Sequence, residues 1–205
     1  WCPTTHRYDS AKASQARARG DQVWWYICIE PRHPYANIFI EHPAIEARLL
    51  MGAMTAKYRP DGFLYYQTSL WQAKEPIRTG PFTNWDPRSY RTAHGDGSWV
   101  CMDAEGLPVP TIRLENYRDG LEDFAYFRIL EEAVRIKEKN SAPRSDKDRA
   151  WLASARAALE VPESLVSSLD RFSRDPERLH EWRDRLASLI EDSGIPEISP
   201  WKDGF

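Results

Sequence analysis

The sequence predicts an α/β fold built around a parallel sheet and followed by a helical tail. Helix-like and strand-like segments alternate through about the first 70 residues. The strand-like segments are apolar and aromatic on both faces, which is typical of buried parallel strands. The turns that lead into these strands are short, whereas the loops that follow them are long. We therefore assign residues 1–140 to the sheet-forming region and residues 141–205 to the helical tail, with a Ser- and Pro-rich break near 139–148.

The predicted elements of the first region follow in order. Asp9 and Ser10 cap a helix that Gly20 ends. Residues 23–29 form a strand, residues 43–58 a second helix that opens on a proline, and residues 63–68 the next strand. This order is typical of βαβ units, which join parallel strands. If Trp1 and Cys2 end an earlier strand, the region holds about three parallel strands.

A parallel sheet of three strands leaves its edges unpaired and its faces incompletely covered. We therefore expect further barrel-forming strands upstream of Trp1. Beyond the last strand, residues 69–111 are predicted to form a long loop, a length that favours a functional role. Helices are then predicted at 117–139, 146–159, 163–172 and 175–192, the last with Asp175 as its cap and Pro176 in its first turn.

Composition narrows the function classes. The 28 basic and 31 acidic residues give a net charge of −3 without a basic block, which argues against a nucleic-acid partner. No apolar run approaches the ~18 residues of a membrane span, so no membrane partner is predicted. Three cysteines do not make a disulfide framework, and the sequence leaves open a single disulfide between two of them. Nine tryptophans are unusual, and exposed aromatic rings often bind flat apolar faces such as those of sugars.

Candidate binding residues stand at strand ends and in the long loop, because parallel α/β folds bind ligands at the carboxyl ends of their strands. This set comprises Trp1, Tyr26, Cys28, Glu30, Tyr66, Gln67, Trp71, Trp85 and Asp96. The functional interpretation is a sugar pocket with aromatic walls and carboxylates that bind hydroxyls. The alternative is that the aromatic side chains, above all Trp24, Trp25, Tyr65 and Tyr66, simply fill the core.

Motifs for other chemistry are mostly missing. There is no glycine-rich phosphate loop, and residues 94–97 (His-Gly-Asp-Gly) predict a turn. His33 and His42 flank one loop, but without a cysteine or carboxylate at an evident ligand spacing we predict no metal and no cofactor. The pair Glu122-Asp123 is predicted to be solvated on a helix surface, and Glu115, Arg118 and Asp119 to make capping and salt-bridge contacts.

Several runs together carry a family resemblance. They are residues 23–26 (Val-Trp-Trp-Tyr), 37–41, 45–50, 61–66, Trp85, 95–97 and, most specifically, 112–123 (Ile-Arg-Leu-Glu-Asn-Tyr-Arg-Asp-Gly-Leu-Glu-Asp). With these runs, residues 1 to about 135 resemble the C-terminal part of the catalytic domain of glycoside hydrolase family 123.

The resemblance implies a (β/α)8 TIM barrel, of which this chain would contain about three βα units, and exo-acting β-N-acetylgalactosaminidase activity. In that mechanism the substrate's acetamido oxygen is the nucleophile, an Asp stabilises the oxazolinium and the adjacent Glu protonates the leaving oxygen. That Asp-Glu pair belongs to a middle strand and is expected upstream, so we assign no catalytic residue here and expect the chain alone to be inactive. A secreted or periplasmic location is suggested by the resemblance alone.

The resemblance also implies walls of a pocket for a GalNAc-containing glycan at Tyr26, Asn37, Tyr66, Trp71 and Trp85. The missing N-terminal part of the same barrel is the second expected partner. The alternative function is a non-catalytic module that binds a carbohydrate or a partner protein through its aromatic loops.

Overall fold

The computed structural model describes residues 1–70, 82–83, 93–103, 105, 107–139 and 145–200. The helices are α1 (Ser10–Ala18), α2 (Ile45–Leu49), α3 (Thr55–Tyr58), α4 (Ile112–Lys139), α5 (Asp146–Ala158) and α6 (Pro176–Asp192), with a π-helical segment (Leu50–Met54) joining α2 to α3 and a 3-10 turn at Thr5–Arg7. The strands are β1 (Trp24–Tyr26), β2 (Gly62–Leu64), β3 (Phe82–Thr83), β4 (Val100–Asp103), β5 (Pro108–Pro110), β6 (Val166–Ser168) and β7 (Arg171–Phe172). Among the described residues, no helix is both long and apolar enough to cross a membrane.

Parallel pairing is confirmed at the centre of the first region. β1 pairs with β2 in parallel, with Trp24 opposite Gly62 and Tyr26 opposite Leu64. The amino-terminal segment runs along the other edge of β1, where Thr4 forms a parallel bridge with Tyr26 and the Trp24 N–H donates to the Trp1 carbonyl over 2.8 Å. Both strands are shorter than predicted. The chain leaves the ladder directly after Tyr26 and Leu64, where the loops at the carboxyl ends begin.

The two faces of this sheet differ, contrary to the prediction that both are buried. Side chains alternate between the faces of a strand. Trp25, with Val23 and Ile27 on either side, is fully buried against the helical layer. On the opposite face, Trp24 is 38% exposed and Leu64 is 40% exposed. The described residues therefore cover one face of the sheet and leave the other largely open.

The helical layer centres on α4, which contacts α2, the π-helical segment, α5 and α6. Two glycines allow the closest backbone approach: a Cβ on Gly120 would lie 2.6 Å from the Arg48 carbonyl oxygen, and one on Gly52 would lie 3.2 Å from the Gly120 carbonyl oxygen. Helix α6 buries the predicted stripe of Leu179, Trp182, Leu186 and Leu189.

Several local predictions are confirmed. Asp9 caps α1 by accepting from the Lys12 N–H, and Gly20 ends that region with a φ of 87°. Asp175 caps α6 by accepting from the Glu177 N–H, and Pro176 occupies the first turn. Arg118 forms the predicted ion pairs with Glu115 and Asp119 at the surface of α4. Capping depends on contacts within a few residues, so the sequence carries enough information to predict it.

Three element predictions are wrong. Residues 163–172 form the β6–β7 hairpin, not a helix: the Ser168 hydroxyl donates to Asp170, and Lys57 of α3 donates to the Val166 carbonyl over 2.6 Å. Serine hydroxyls offer such local alternatives to the helical ladder. The region 69–111 is not one irregular loop, because β3, β4 and β5 form an antiparallel sheet within it. Helix α4 begins five residues earlier than predicted, at Ile112, next to Thr111 whose hydroxyl accepts from the Leu114 N–H.

Candidate functional site

The carboxyl ends of β1 and β2 lie side by side, and a turn from a distant part of the chain packs against them. Tyr65 and Tyr66 follow β2 directly. The turn comprises residues 93–99, which we call the Asp96 turn. Its centre is the predicted turn at 94–97, so that local prediction is confirmed.

Asp96 is the polar centre of this site and is fully buried. The Tyr65 hydroxyl donates to Asp96 Oδ1 over 2.7 Å, and the Tyr66 hydroxyl donates to Oδ2 over 3.2 Å. The Gly97 N–H in turn donates to the Tyr65 hydroxyl over 2.5 Å. Because Asp96 has no exposed surface, it acts on any ligand only indirectly, by fixing the orientation of the two tyrosine hydroxyls.

Glycines make the close packing of this turn possible. Gly95 and Gly97 both have positive φ, at 76° and 75°. A Cβ on Gly97 would lie only 2.7 Å from the Tyr66 hydroxyl oxygen. The two glycines therefore allow the backbone on either side of Asp96 to turn sharply and to reach the tyrosines.

Arg113, near the start of α4, fixes the turn from the other side. This buried guanidinium donates to the carbonyl oxygens of Gly95, Ser98 and Ile38, over 2.8, 2.6 and 3.1 Å. Burial lowers the pKa of Arg113, and nearby Tyr65 and Asp96 oppose that shift. Sequence reasoning placed Arg113 only within a motif, and nothing local signals its function, because its three acceptors come from remote segments.

Tyr65 is part of a row of aromatic rings that connects the site to α4. The Tyr65 ring stacks on Trp99 at a centroid distance of 4.6 Å, and Trp99 contacts Tyr117 of α4 at 4.6 Å. Trp99 thus belongs to the core and the half-buried Tyr65 packs against it, in line with the alternative interpretation for Tyr65. Tyr66 differs, because 39% of it is exposed.

A Glu–His pair lies at the edge of the Asp96 turn. The Glu41 carboxylate contacts His94 Nδ1 and accepts from the His94 N–H over 3.1 Å, and the Ile40 N–H donates to the His94 carbonyl over 2.8 Å. Burial favours a higher Glu41 pKa, but the hydrogen bonds from its own backbone and from His94 outweigh it and lower the pKa. About a third of each side chain is exposed, so this pair presents polar groups to solvent beside the turn.

The structure does not bring all of the predicted binding residues together. Tyr26 ends β1 at the carboxyl end of the sheet and is paired with Leu64, two residues before Tyr66. Trp1 lies at the opposite, amino edge of the sheet, where it pairs with Trp24 and its ring stacks on Tyr8 at 6.3 Å. Trp71 and Trp85 lie outside the described residues.

Asn37 has no surface to offer a ligand in this structure. It is fully buried, and its side-chain amide donates to the Cys28 and Pro31 carbonyls over 3.1 and 2.8 Å. Its Oδ1 accepts from the Ile38 N–H over 2.7 Å. Asn37 therefore stabilises the loop after β1 and, contrary to expectation, does not line an open pocket here.

The raised pKa of Asp96 leads to a prediction about how the stability of the protein depends on pH. Burial raises the pKa of this carboxyl, and the tyrosine hydrogen bonds offset part of that effect. A carboxyl whose pKa is higher folded than unfolded favours the native state below the unfolded value of 3.8. That contribution is lost as the pH rises through the folded pKa. We expect Asp96→Asn to show no such decrease in stability with rising pH, because the asparagine amide does not titrate.

The measurement is the free energy of unfolding of wild type and Asp96→Asn between about pH 3 and pH 8. Because the two proteins differ only at Asp96, the pH-dependent part of the difference between their stabilities reports on this carboxyl. We expect wild type to lose stability relative to the variant as the pH rises. A difference that is the same at every pH would contradict the burial argument.

Comparison with known protein families identifies the chain. The family model described as "Glycoside hydrolase 123, catalytic domain" matches residues 2–130, more than half of the chain. The chain belongs to glycoside hydrolase family 123. No curated protein matches it. The match spans β1, β2, the Asp96 turn and most of α4, so the candidate site lies within a glycoside hydrolase catalytic domain.

Proposed function

We propose that this chain is part of a retaining, exo-acting β-N-acetylgalactosaminidase whose catalytic Asp-Glu pair is supplied by residues upstream of Trp1. Membership of glycoside hydrolase family 123 is the observation that carries the proposal. The partly exposed Tyr66 ring, anchored by Asp96 at the carboxyl edge of two parallel strands, adds a surface suited to a pyranose face.

In the proposed reaction the acetamido oxygen of the substrate attacks the anomeric carbon. The bond from that carbon to the leaving oxygen breaks, and the catalytic Glu gives its proton to that oxygen. The Asp stabilises the positively charged oxazolinium. Water then attacks the anomeric carbon and gives a proton to the Glu carboxylate, while the bond from that carbon to the acetamido oxygen breaks and the product retains its configuration. Within the described part of the chain, the two carboxylates at the Asp96 turn are otherwise engaged, because Asp96 is buried and bonded to two tyrosines and Glu41 is paired with His94. This is consistent with a catalytic pair on another strand.

The open face of the sheet supports the proposed barrel. Trp24 and Leu64 are large apolar side chains on that face, and each exposes over a third of its surface. In a closed (β/α)8 barrel such side chains point into the interior and are covered by the remaining strands. We therefore propose that the missing N-terminal part of the barrel covers Trp24 and Leu64, and that α5 and α6 form a helical tail packed outside it.

The test compares this chain with the chain extended upstream by the rest of the catalytic domain. We expect the extended protein to release p-nitrophenol from its β-N-acetylgalactosaminide and this chain alone to release none. In the extended protein, Tyr66→Ala should lower kcat/KM about 5-fold, because an aromatic contact contributes ~1 kcal/mol. Tyr66→Phe is the matched control, since it keeps the ring.

Hydrolysis by this chain alone would overturn the assignment of the catalytic pair upstream. Binding of N-acetylgalactosamine by the extended protein without hydrolysis would favour the second candidate, a carbohydrate-binding module. The exposed Tyr66 is the observation that favours that alternative, because it serves binding with or without catalysis.

A further inference from the structure

Two histidines and a glutamate converge outside the candidate site. His33 and His42 lie in the loop between β1 and α2, and Glu46 lies in the first turn of α2. One ligand atom from each side chain falls within 4.8 Å of the other two. We propose that His33, His42 and Glu46 form a binding site for a Zn²⁺-class transition-metal ion that joins this loop to α2.

The sequence-based prediction of no metal rested on the lack of a cysteine or carboxylate at an evident ligand spacing from these histidines. The structure places Glu46, in the first turn of α2, next to His42 in the preceding loop, with Nδ1 of His42 2.6 Å from Oε2 of Glu46. In the sequence the two residues are four positions apart, but a loop separates His42 from the helix start, so this spacing alone did not show that they meet. His33 enters the cluster only through the path of the loop.

Hydrogen bonds from neighbouring residues fix the orientation of the Glu46 carboxylate. Its carboxylate is fully buried, and Arg174 Nε donates to Oε1 over 2.5 Å. The Asn37 N–H donates to Oε2 over 3.1 Å. Such outer contacts are what orients a metal-binding carboxylate in proteins. Arg174 engages one oxygen, so Oε2 is the atom turned toward the histidines.

The histidine rings show what must move when an ion binds. The two rings stack at a centroid distance of 3.9 Å and an interplanar angle of 11°. Imidazole lone pairs lie in the ring plane, so two parallel rings do not point at one ion. His33 is exposed, so its ring can leave the stack without displacing core side chains, whereas His42 is buried. We therefore expect His33 to rotate on binding and to leave a coordination position open to solvent.

The ligand set selects the metal. Two imidazoles and one carboxylate, with an open fourth position, suit Zn²⁺, whereas Ca²⁺ and Mg²⁺ prefer all-oxygen sites. The Arg174 guanidinium beside Glu46 opposes any cation. Because this repulsion must be overcome, binding depends on the two imidazole nitrogens, and Ca²⁺ and Mg²⁺ are disfavoured further.

Calorimetric titration of the tag-free protein with ZnCl₂ tests the proposal, with MgCl₂ as the comparison salt. We expect one Zn²⁺ per chain, a higher Tm with Zn²⁺ because binding stabilises the native state, and no response to Mg²⁺. Co²⁺ should give the visible absorption of a four-coordinate site. His33→Ala should weaken Zn²⁺ binding at least ~10-fold, since even the loss of a contact beyond the ligands has that effect.

His33→Ala removes an exposed side chain and its stacking on His42, so its Tm without metal should stay within about 2 °C of that of wild type. His180→Ala is the matched control, because it removes another imidazole, one that contacts Arg48 and not the cluster, and it should bind Zn²⁺ like wild type. Absence of Zn²⁺ binding, or equal binding by wild type and His33→Ala, would overturn the proposal. Neither result depends on glycosidase activity.

Discussion

Asp123→Ala is expected to destabilise the protein by about 3–5 kcal/mol, the usual cost of leaving a buried charge without its partner. Asp123 of α4 has a fully buried side chain. Arg48 of α2 donates to it through two nitrogens, over 2.6 and 3.0 Å. Arg183 of α6 approaches the same carboxylate at 3.3 Å. One carboxylate thus joins three helices.

The Arg48 guanidinium is the group that the variant leaves unpaired. The hydrogen bonds that Arg48 donates to Asp123 are the main reason that the pKa of Arg48 is raised, and the Arg48 side chain is only 13% exposed. Without Asp123, this cation remains between α2 and α4 with little access to water. The free energy of unfolding in urea is the measurement.

Glu122→Ala is the matched control for this carboxylate. Glu122 is the preceding residue of the same helix, but its side chain is 55% exposed and lies 3.6 Å from an exposed Arg118. We expect this variant to change stability by no more than about 0.5 kcal/mol. Similar losses in the two variants would contradict the assignment of Asp123 to the buried interface.

Trp25→Ala is expected to cost about 3–5 kcal/mol, the range for removing a large aromatic side chain from a core. Trp25 of β1 is fully buried, and its ring contacts Tyr8 and Tyr58 at centroid distances of 5.6 and 5.8 Å. Its removal leaves a cavity between the sheet and the helical layer, which the surrounding rings fill only partly. Urea unfolding measures this loss as well.

Two controls separate the contributions to this effect. Trp25→Phe keeps an aromatic ring, and Trp25 Nε1 has no hydrogen-bond partner among the described residues, so this variant should lose much less stability. Trp24→Ala removes the neighbouring indole, which is 38% exposed and donates to the Gln22 side chain. We expect it to cost about 1 kcal/mol. An effect as large as that of Trp25→Ala would contradict the assigned faces of β1.

Trp24 and Trp25 show which features of the fold the sequence predicts and which it does not. The apolar run at 23–29 correctly predicts a strand with a parallel neighbour. It does not tell which face is covered, because both indoles are apolar and adjacent. That depends on where the helices pack, and they cover the Trp25 side. The hairpin at 166–172 was missed for a similar reason, since the contact from Lys57 to Val166 joins segments over a hundred residues apart.

The candidate site was predictable in part. Tyr66 and Asp96 were both candidates, Tyr66 because it follows a strand and Asp96 because it lies in a glycine-flanked turn. The hydrogen bond between them was not predictable, because the two residues are 30 positions apart in the sequence.

The burial of Asp123 in the helical interface was not predicted. Asp123 was predicted to be solvated because a carboxylate on a helix surface normally is. Its burial is tolerated only because Arg48 and Arg183 come from two other helices.

The sequence by itself determined the alternation of helix and parallel strand from α1 to β2, the caps of α1 and α6 and the family resemblance. These properties depend on residues close together in the chain or on a linear pattern of residue types. The tertiary structure alone decided which tryptophan is buried, that Asp96 lies beneath two tyrosines and that His33 joins His42 and Glu46. Each of these depends on the distance between side chains from separate segments, and burial and charge pairing take their energies from those distances.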